Sequence, residues 1–182
     1  MAANSENKLQ LVHSHIRAFP DFPKEGILVQ VNICPILKDP AALTAVTDLF
    51  EEHVRQNHKQ VELIVGLDAR GFLFGPLLAQ RLGVGFVLIR KKGKLPGATA
   101  SVAYDLEYGK AEAEVQEDSV APRQKVLLID DLLATGGTMY AAIQLMKKQQ
   151  ADILGCMVVI ELKELNGVDK LKPHSVFSLV QY

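Results

Sequence analysis

The stretch Val126-Leu127-Leu128-Ile129-Asp130-Asp131-Leu132-Leu133-Ala134-Thr135-Gly136-Gly137-Thr138 constrains this chain more than any other. Four consecutive apolar residues with no polar alternation suit a strand buried on both faces, as in a parallel sheet covered by helices. Two adjacent carboxylates follow, expected just beyond a strand end at Ile129. A glycine-rich turn flanked by Thr135 and Thr138 then opens a helix expected over Thr138 to Gln150. Gly136 and Gly137 carry no Cβ, so backbone N–H groups there can approach an anion closely. A helix N-terminus adds unsatisfied donors and the positive end of its dipole, which suits a phosphate. Asp130 and Asp131 repel a phosphate; they suit sugar hydroxyls, or Mg²⁺ held through water. A short Thr-Gly-Gly-Thr string beside an acidic pair would by itself be a capped turn. The full order of apolar run, acids, glycines and helix carries the information.

The rest of the chain places this stretch in an alternation of strands and helices. Leu9, Val12 and Ile16 sit at helical spacing within Glu6 to Ala18, and Phe19-Pro20-Asp21-Phe22-Pro23 ends that helix. Gly26 to Ile33 is extended or a loop. Asp39 caps, and Pro40 opens, a second helix reaching His58. Val61 to Leu67 and Val84 to Ile89 are apolar strands on either side of a helix from Phe72 to Leu82. Ser101 to Glu107 and Lys110 to Gln116 form a hairpin around Tyr108-Gly109. Ile153 to Glu161 and His174 to Tyr182 complete the sheet. We therefore expect one α/β domain over residues 1–182, with a central, mostly parallel sheet flanked by helices. In such sheets ligands bind beyond the C-terminal strand ends. Three such ends carry unusual residues: Asp68–Gly71, Arg90–Lys94 and Asp130–Thr138.

Composition excludes several alternatives. The formal net charge of −1 lacks the basic excess of a nucleic-acid binder. The one basic run, Arg90-Lys91-Lys92-Gly93-Lys94, taken alone is a solvated surface loop. The two cysteines, Cys34 and Cys156, make no disulfide framework, and Cys156, in an apolar run, is expected to be a buried free thiol. No Cys/His cluster has zinc spacing. Met1 to Gln10 lacks a signal-peptide apolar core, and no apolar run approaches membrane-spanning length. A cytoplasmic location is expected.

Apolar strand, acidic pair and Thr-Gly-Gly-Thr together resemble the signature of type I phosphoribosyltransferases. Further blocks narrow the likeness to the adenine phosphoribosyltransferase family: Phe19-Pro20-Asp21-Phe22-Pro23, Gly66-Leu67-Asp68-Ala69-Arg70-Gly71-Phe72, Ile89 to Gly97 with its basic run, and Leu106-Glu107-Tyr108-Gly109. The resemblance covers nearly the whole chain. It implies the type I fold, with a flexible β-hairpin lid over residues 101–116 and an N-terminal hood over residues 1–35. It also implies transfer of a phosphoribosyl group from 5-phosphoribosyl 1-pyrophosphate to adenine, giving AMP and pyrophosphate, with Mg²⁺ as cofactor and a homodimer as the assembly.

Residue by residue, Ala134, Thr135, Gly136, Gly137 and Thr138 match the family's 5′-phosphate cradle. Asp130 and Asp131 match its acidic pair at the ribose diol and hydrated metal. Asp68, Ala69, Arg70 and Gly71 match its pyrophosphate loop, where relatives often hold a non-proline cis peptide, here expected between Asp68 and Ala69. Arg90 and Lys94 match cationic pyrophosphate ligands. Glu107, otherwise an exposed hairpin carboxylate, matches an acid near the purine ring, and Tyr108 an aromatic over the reacting centre. Leu162 matches an apolar residue beside the base, and Leu28, Val29 and Gln30 fall on the hood of the base pocket.

One departure stands out. Where the family continues with a glycine-containing stretch and Phe-Arg-Asp-Ile, this chain has Val29-Gln30-Val31-Asn32-Ile33, one residue longer. Valine offers no aromatic face, and glutamine no planar charged surface for stacking. A second reading is therefore a weakened relative that binds phosphoribosyl pyrophosphate but has an impaired adenine pocket. A third, a nucleotide-sensing regulator that binds nucleic acid, is disfavoured by the near-neutral charge.

Overall fold

The computed structural model describes residues 2–19, 30–106 and 109–182, with the side chains of all of these but residues 2, 3, 30 and 106. They fall into two compact units, Met1–Glu52 and His53–Tyr182.

In the first unit, helix α1 (Ala2–Ser14) ends earlier than its apolar spacing suggested, and Arg17–Phe19 forms a short strand, β1. It pairs antiparallel with β2 (Gln30–Asn32), Ala18 opposite Val31. Sequence periodicity near residue 17 could not foresee this, because the partner strand lies beyond two prolines. Val31 is buried, and the Asn32 Oδ1 accepts the Cys34 N–H at 2.9 Å, opening helix α2 (Cys34–Lys38). Helix α3 (Pro40–Asn57) starts as expected, the Asp39 Oδ1 accepting the Ala41 N–H at 2.8 Å. Lys8 bridges Asp48 at 3.1 Å and Glu52 at 2.9 Å.

The second unit is built on a seven-stranded sheet. Its strands are β3 (Leu63–Leu67), β4 (Gly85–Lys91), β5 (Thr99–Leu106), β6 (Gly109–Gln116), β7 (Lys125–Leu133), β8 (Asp152–Glu161) and β9 (Val176–Gln181). The order across the sheet is β5-β6-β4-β3-β7-β8-β9. The five strands β4, β3, β7, β8 and β9 run parallel, while β6 is antiparallel to both β4 and β5. A mostly parallel α/β sheet is thus what the apolar runs implied. Every residue of β3 is buried. One face packs against helix α5 (Gly137–Lys148) through Met139, Ala142, Ile143, Leu145 and Met146, which meet Val65, Leu128, Val158 and Cys156 in one core.

The chain leaves β3 on one side for β4 and returns on the other side at β7. The β3–β7 boundary is therefore the switch point where ligands bind in open sheets. Two element ends differ from the sequence expectation, and both matter here. Strand β4 runs on to Lys91 because Arg90 and Lys91 pair with Glu114 and Ala113 of β6. Strand β7 runs on to Leu133 because β8 accompanies it that far, although β3 leaves it after Ile129. The expected single helix from Phe72 is instead a 3₁₀ turn (Arg70–Leu73) and helix α4 (Gly75–Leu82). Pro76, in the first turn of α4, lacks an N–H and marks that new start.

Glycines let β3, α4 and β4 approach. A Cβ on Gly66 would lie 2.4 Å from the Phe86 ring and one on Gly75 2.2 Å from it. The ring is also held edge-on by Phe72, with centroids 6.3 Å apart. Gly66→Ala should destabilise the protein by about 2 kcal/mol through overpacking. In urea unfolding that loss should shrink when Phe86→Leu is added, because the two changes share one space.

Candidate functional site

A cavity of about 390 Å³ opens at the switch point, lined by Asp68, Ala69, Arg70, Lys91 and the run from Asp130 to Met139. Its floor is the far end of β7, past the departure of β3. The chain leaving β3 crosses this exposed edge through Asp68 to Gly71, and the Asp68–Ala69 peptide is cis, as expected. Gly71 is pressed onto β7: a Cβ there would fall 2.6 Å from the Ile129 carbonyl oxygen. This close approach brings Arg70 over the acidic pair, its Nε 2.5 Å from the Asp131 Oδ2.

Asp131 is buried, while the neighbouring Asp130 accepts the Asp131 N–H on its own Oδ1 at 2.8 Å. Burial, and next the charge of Asp131, push the Asp130 carboxyl well above the usual aspartate range; Arg70 acts the other way without cancelling them. Two carboxylates share a site with one guanidinium, so the site draws in further cations or hydroxyl donors.

The opposite wall is the turn into α5. Gly136 caps this helix in a left-handed conformation, φ +81°. The backbone of Gly167 lies so close that a Cβ on Gly136 would sit 2.6 Å from its carbonyl oxygen. A side chain at position 136 is therefore excluded twice, by φ and by space. The first helical bond runs from the Tyr140 N–H to the Gly136 carbonyl at 2.9 Å, leaving the N–H groups before it directed out of the helix end. Thr135 and Thr138 flank them on the cavity lining. The whole phosphate-type turn read from the sequence thus faces the acidic pair across one cavity.

The basic run divides between two places. Lys91 lines the cavity. Arg90 lies beside Asp68, with its Nε 3.3 Å from the Asp68 Oδ2, which the Lys91 N–H also approaches at 3.4 Å. Lys94 is not among the lining residues; its backbone N–H is bound to Glu114 at 2.9 Å. Lys91 was missed as a site residue because β4 was expected to stop at Ile89. Once Arg90 and Lys91 belong to the strand, its alternation separates the two side chains. Leu162 is half-buried at the end of β8, its N–H bound to the Leu133 carbonyl at 2.9 Å. Strands β5 and β6 pair down to Leu106 opposite Gly109; Glu107 and Tyr108 lie outside the described residues, as do Leu28 and Val29. Gln30 begins β2 in the first unit.

A phosphoribosyl transferase domain model matches residues 35–181. The adenine phosphoribosyltransferase of Rattus norvegicus is 54% identical over 179 residues, covering 98% of this chain and 99% of the rat protein. The Homo sapiens enzyme is 52% identical over the same share of each chain. The chain belongs to the adenine phosphoribosyltransferase family. Its fold agrees with a crystal structure of the Saccharomyces cerevisiae adenine phosphoribosyltransferase, complexed with an imino-altritol bisphosphate and adenine. The two align with a TM-score of 0.92 at 38% identity, covering 96% of this chain and 99% of the yeast chain. The aligned length in the mammalian phosphoribosyltransferases takes in the divergent Val29–Asn32 segment. That continuity favours a working enzyme over the weakened relative.

The residues at the cavity also fit Mg²⁺. No group of three or more potential protein ligands exists among the described residues. Mg²⁺ is commonly held by one or two carboxylates, with phosphate and water oxygens completing its shell, and Asp130 and Asp131 beside a phosphate-type turn supply that setting.

Raising an aspartate's pKa in the folded state gives stability that is complete below its unfolded value, about 3.9, and is lost as pH rises through the folded value. Asp130→Asn should therefore raise the melting temperature of the ligand-free protein at neutral pH. Its advantage over the native chain should vanish as pH falls to about 4. Differential scanning calorimetry across that range tests this; an advantage independent of pH would contradict it.

Proposed function

We propose that the cavity holds 5-phosphoribosyl 1-pyrophosphate and that this chain transfers its phosphoribosyl group to adenine, releasing AMP and pyrophosphate. The observation that carries this reading is the meeting, in one cavity, of a helix-capping phosphate turn, a carboxylate pair and the Arg70 and Lys91 cations. The N–H groups of Ala134 to Thr138, with the Thr135 and Thr138 hydroxyls, receive the 5′-phosphate. Asp130 and Asp131 accept hydrogen bonds from the ribose hydroxyls across from it. The cis turn Asp68–Gly71 and the cations Arg70, Lys91 and Arg90 take the diphosphate, with Lys94 assigned to the same group.

In the reaction the bond from the anomeric carbon to the diphosphate oxygen breaks. The diphosphate leaves with the electron pair, and a purine ring nitrogen of adenine bonds to that carbon and gives up its proton. Cations at the leaving group stabilise charge that grows in the transition state, which accelerates the step itself. Asp130 and Asp131 would hold Mg²⁺ together with the ligand, and the ion would supply further neutralisation of the diphosphate. Glu107 accepts the purine proton, while Tyr108 and the β5–β6 hairpin cover an electron-poor sugar that water would otherwise capture. Leu162 packs beside the base.

The working assembly in this reading is a homodimer. Leu73, Leu77 and Leu88, on the 3₁₀ turn, α4 and β4, are 41%, 36% and 40% exposed, large apolar side chains that a second copy would cover. No helix among the described residues is long and apolar enough to cross a membrane. A reducing cytosol suits the buried Cys156 thiol, whose pKa burial pushes up to about 12.

AMP formation from adenine and phosphoribosyl pyrophosphate with Mg²⁺ tests the activity directly. Asp130→Asn should lower kcat/KM by about a hundredfold or more, as loss of a group that binds the reacting sugar does. Native-like turnover in that variant would remove Asp130 from its role. In analytical ultracentrifugation, Leu73→Glu with Leu77→Glu should convert a dimer to a monomer.

A further inference from the structure

Among the described residues, two buried carboxylates play no part in the proposed reaction, Glu114 and Glu161; the Glu161 Oε2 is bound by Ser178 and Gln181 at the far edge of the sheet, whereas Glu114 faces the basic loop. Glu114, on β6, is 3% exposed. It lies beneath the loop that follows the cations of β4. Its Oε1 accepts the Lys94 N–H at 2.9 Å and the Leu95 N–H at 2.8 Å, and its Oε2 accepts the Thr99 hydroxyl at 3.3 Å. Burial raises the pKa of this carboxyl, but the N–H groups of Leu95, Gly93 and Lys94 and the Thr99 hydroxyl together bring it below the usual glutamate range. It is therefore ionised and gathers the donors of three successive loop residues.

Its neighbours on the same face of β6 extend the grip. Glu112, two residues earlier, accepts the Lys92 N–H on its carbonyl at 3.0 Å and pairs with the Lys92 ammonium. Gln116, two residues later, donates from Nε2 to the Pro96 carbonyl at 3.1 Å. Alternate residues of a strand share a face, so residues 112, 114 and 116 form a rail along which residues 92–96 are laid. Only Glu114 is buried, and only its bonds reach consecutive loop N–H groups. Without it the loop would keep the Lys92 bonds to Glu112 at one end and the Gln116 bond to Pro96 at the other, while Gly93 and Gly97, at φ +82° and +79°, leave the backbone between them free to take other courses.

We propose that Glu114 is a positioning residue for the diphosphate end of the cavity: it fixes the backbone of Gly93–Leu95, the loop that follows Lys91, and so holds the cationic end of β4 where the leaving group is bound. This rests on the phosphoribosyl-transfer reading of the cavity. The Thr99 hydroxyl lies at the start of β5, so the same carboxylate ties the base of the hairpin to the basic loop. The 5′-phosphate turn lies on α5 and β7, which Glu114 does not touch in any of these bonds. Its loss should therefore separate the two ends of the ligand.

The experiment titrates magnesium pyrophosphate and, separately, AMP into the native chain and its variants, and measures KM for phosphoribosyl pyrophosphate. Glu114→Ala should weaken pyrophosphate binding and raise that KM by roughly tenfold or more, as displaced positioning groups do, with AMP affinity within about twofold of native. Glu114→Gln, which keeps one oxygen acceptor, should fall between the two. Glu114→Asp, which keeps the charge but draws it back by one methylene, should show the same split as alanine and decides the matter if the alanine variant does not fold. Equal weakening of both ligands, or of neither, in a folded variant overturns the proposal. If the native chain itself binds no pyrophosphate, the reading of the cavity has failed and this inference falls with it.

Discussion

Asp130 and Asp131 project from β7 where that strand has lost β3 but still has β8. Two like charges on consecutive, largely enclosed residues are a costly arrangement, and most of the local architecture answers to it. The turn out of β3 must cross the open edge of β7 close enough to bring a guanidinium to Asp131, which is why Gly71 is pressed against the Ile129 carbonyl. Asp130 keeps a raised pKa because burial, and next the charge of Asp131, outweigh the relief that Arg70 gives. The remaining cost is one that a ligand bringing hydroxyls and a cation would relieve.

The second constraint is the phosphate turn. It stands opposite the carboxylates because α5 follows β7 directly, and Gly136 adopts the left-handed conformation that lets the chain reverse into the helix. The close approach of Gly167 locks the turn from behind. Positive and negative recognition elements thus lie within ten residues of each other in the chain. The cationic groups have no such economy. They come from the β3–α4 turn, the end of β4 and the loop laid along β6, three elements brought together only by the sheet order.

The sequence is most legible where one short segment carries a complete local pattern. The apolar run of β7, the acids after it and the glycines before α5 are contiguous, and so is the Asp68–Gly71 turn. Strand ends were harder to place: β4 and β7 each run past the point where apolar residues stop, because pairing continues through Arg90–Lys91 and Asp130–Leu133. Hydrophobicity marks burial, and a paired strand can carry charged residues at its mouth. Strand β1 was invisible for a related reason, since its pairing with β2 is a long-range event across the Phe19–Pro23 segment.

By itself, the sequence determined the fold class, the phosphate turn and the carboxylate pair, since each depends on residues adjacent in the chain and on local backbone chemistry. The tertiary structure decided which cation enters the cavity and what holds the loop behind it. Lys91, rather than Lys94, lines the site because the pairing of β4 with β6 sets which way each side chain points. Glu114 meets the basic loop because strand order buries it under a segment that precedes it by some twenty residues. No periodicity in either segment encodes that meeting; only the packed sheet does.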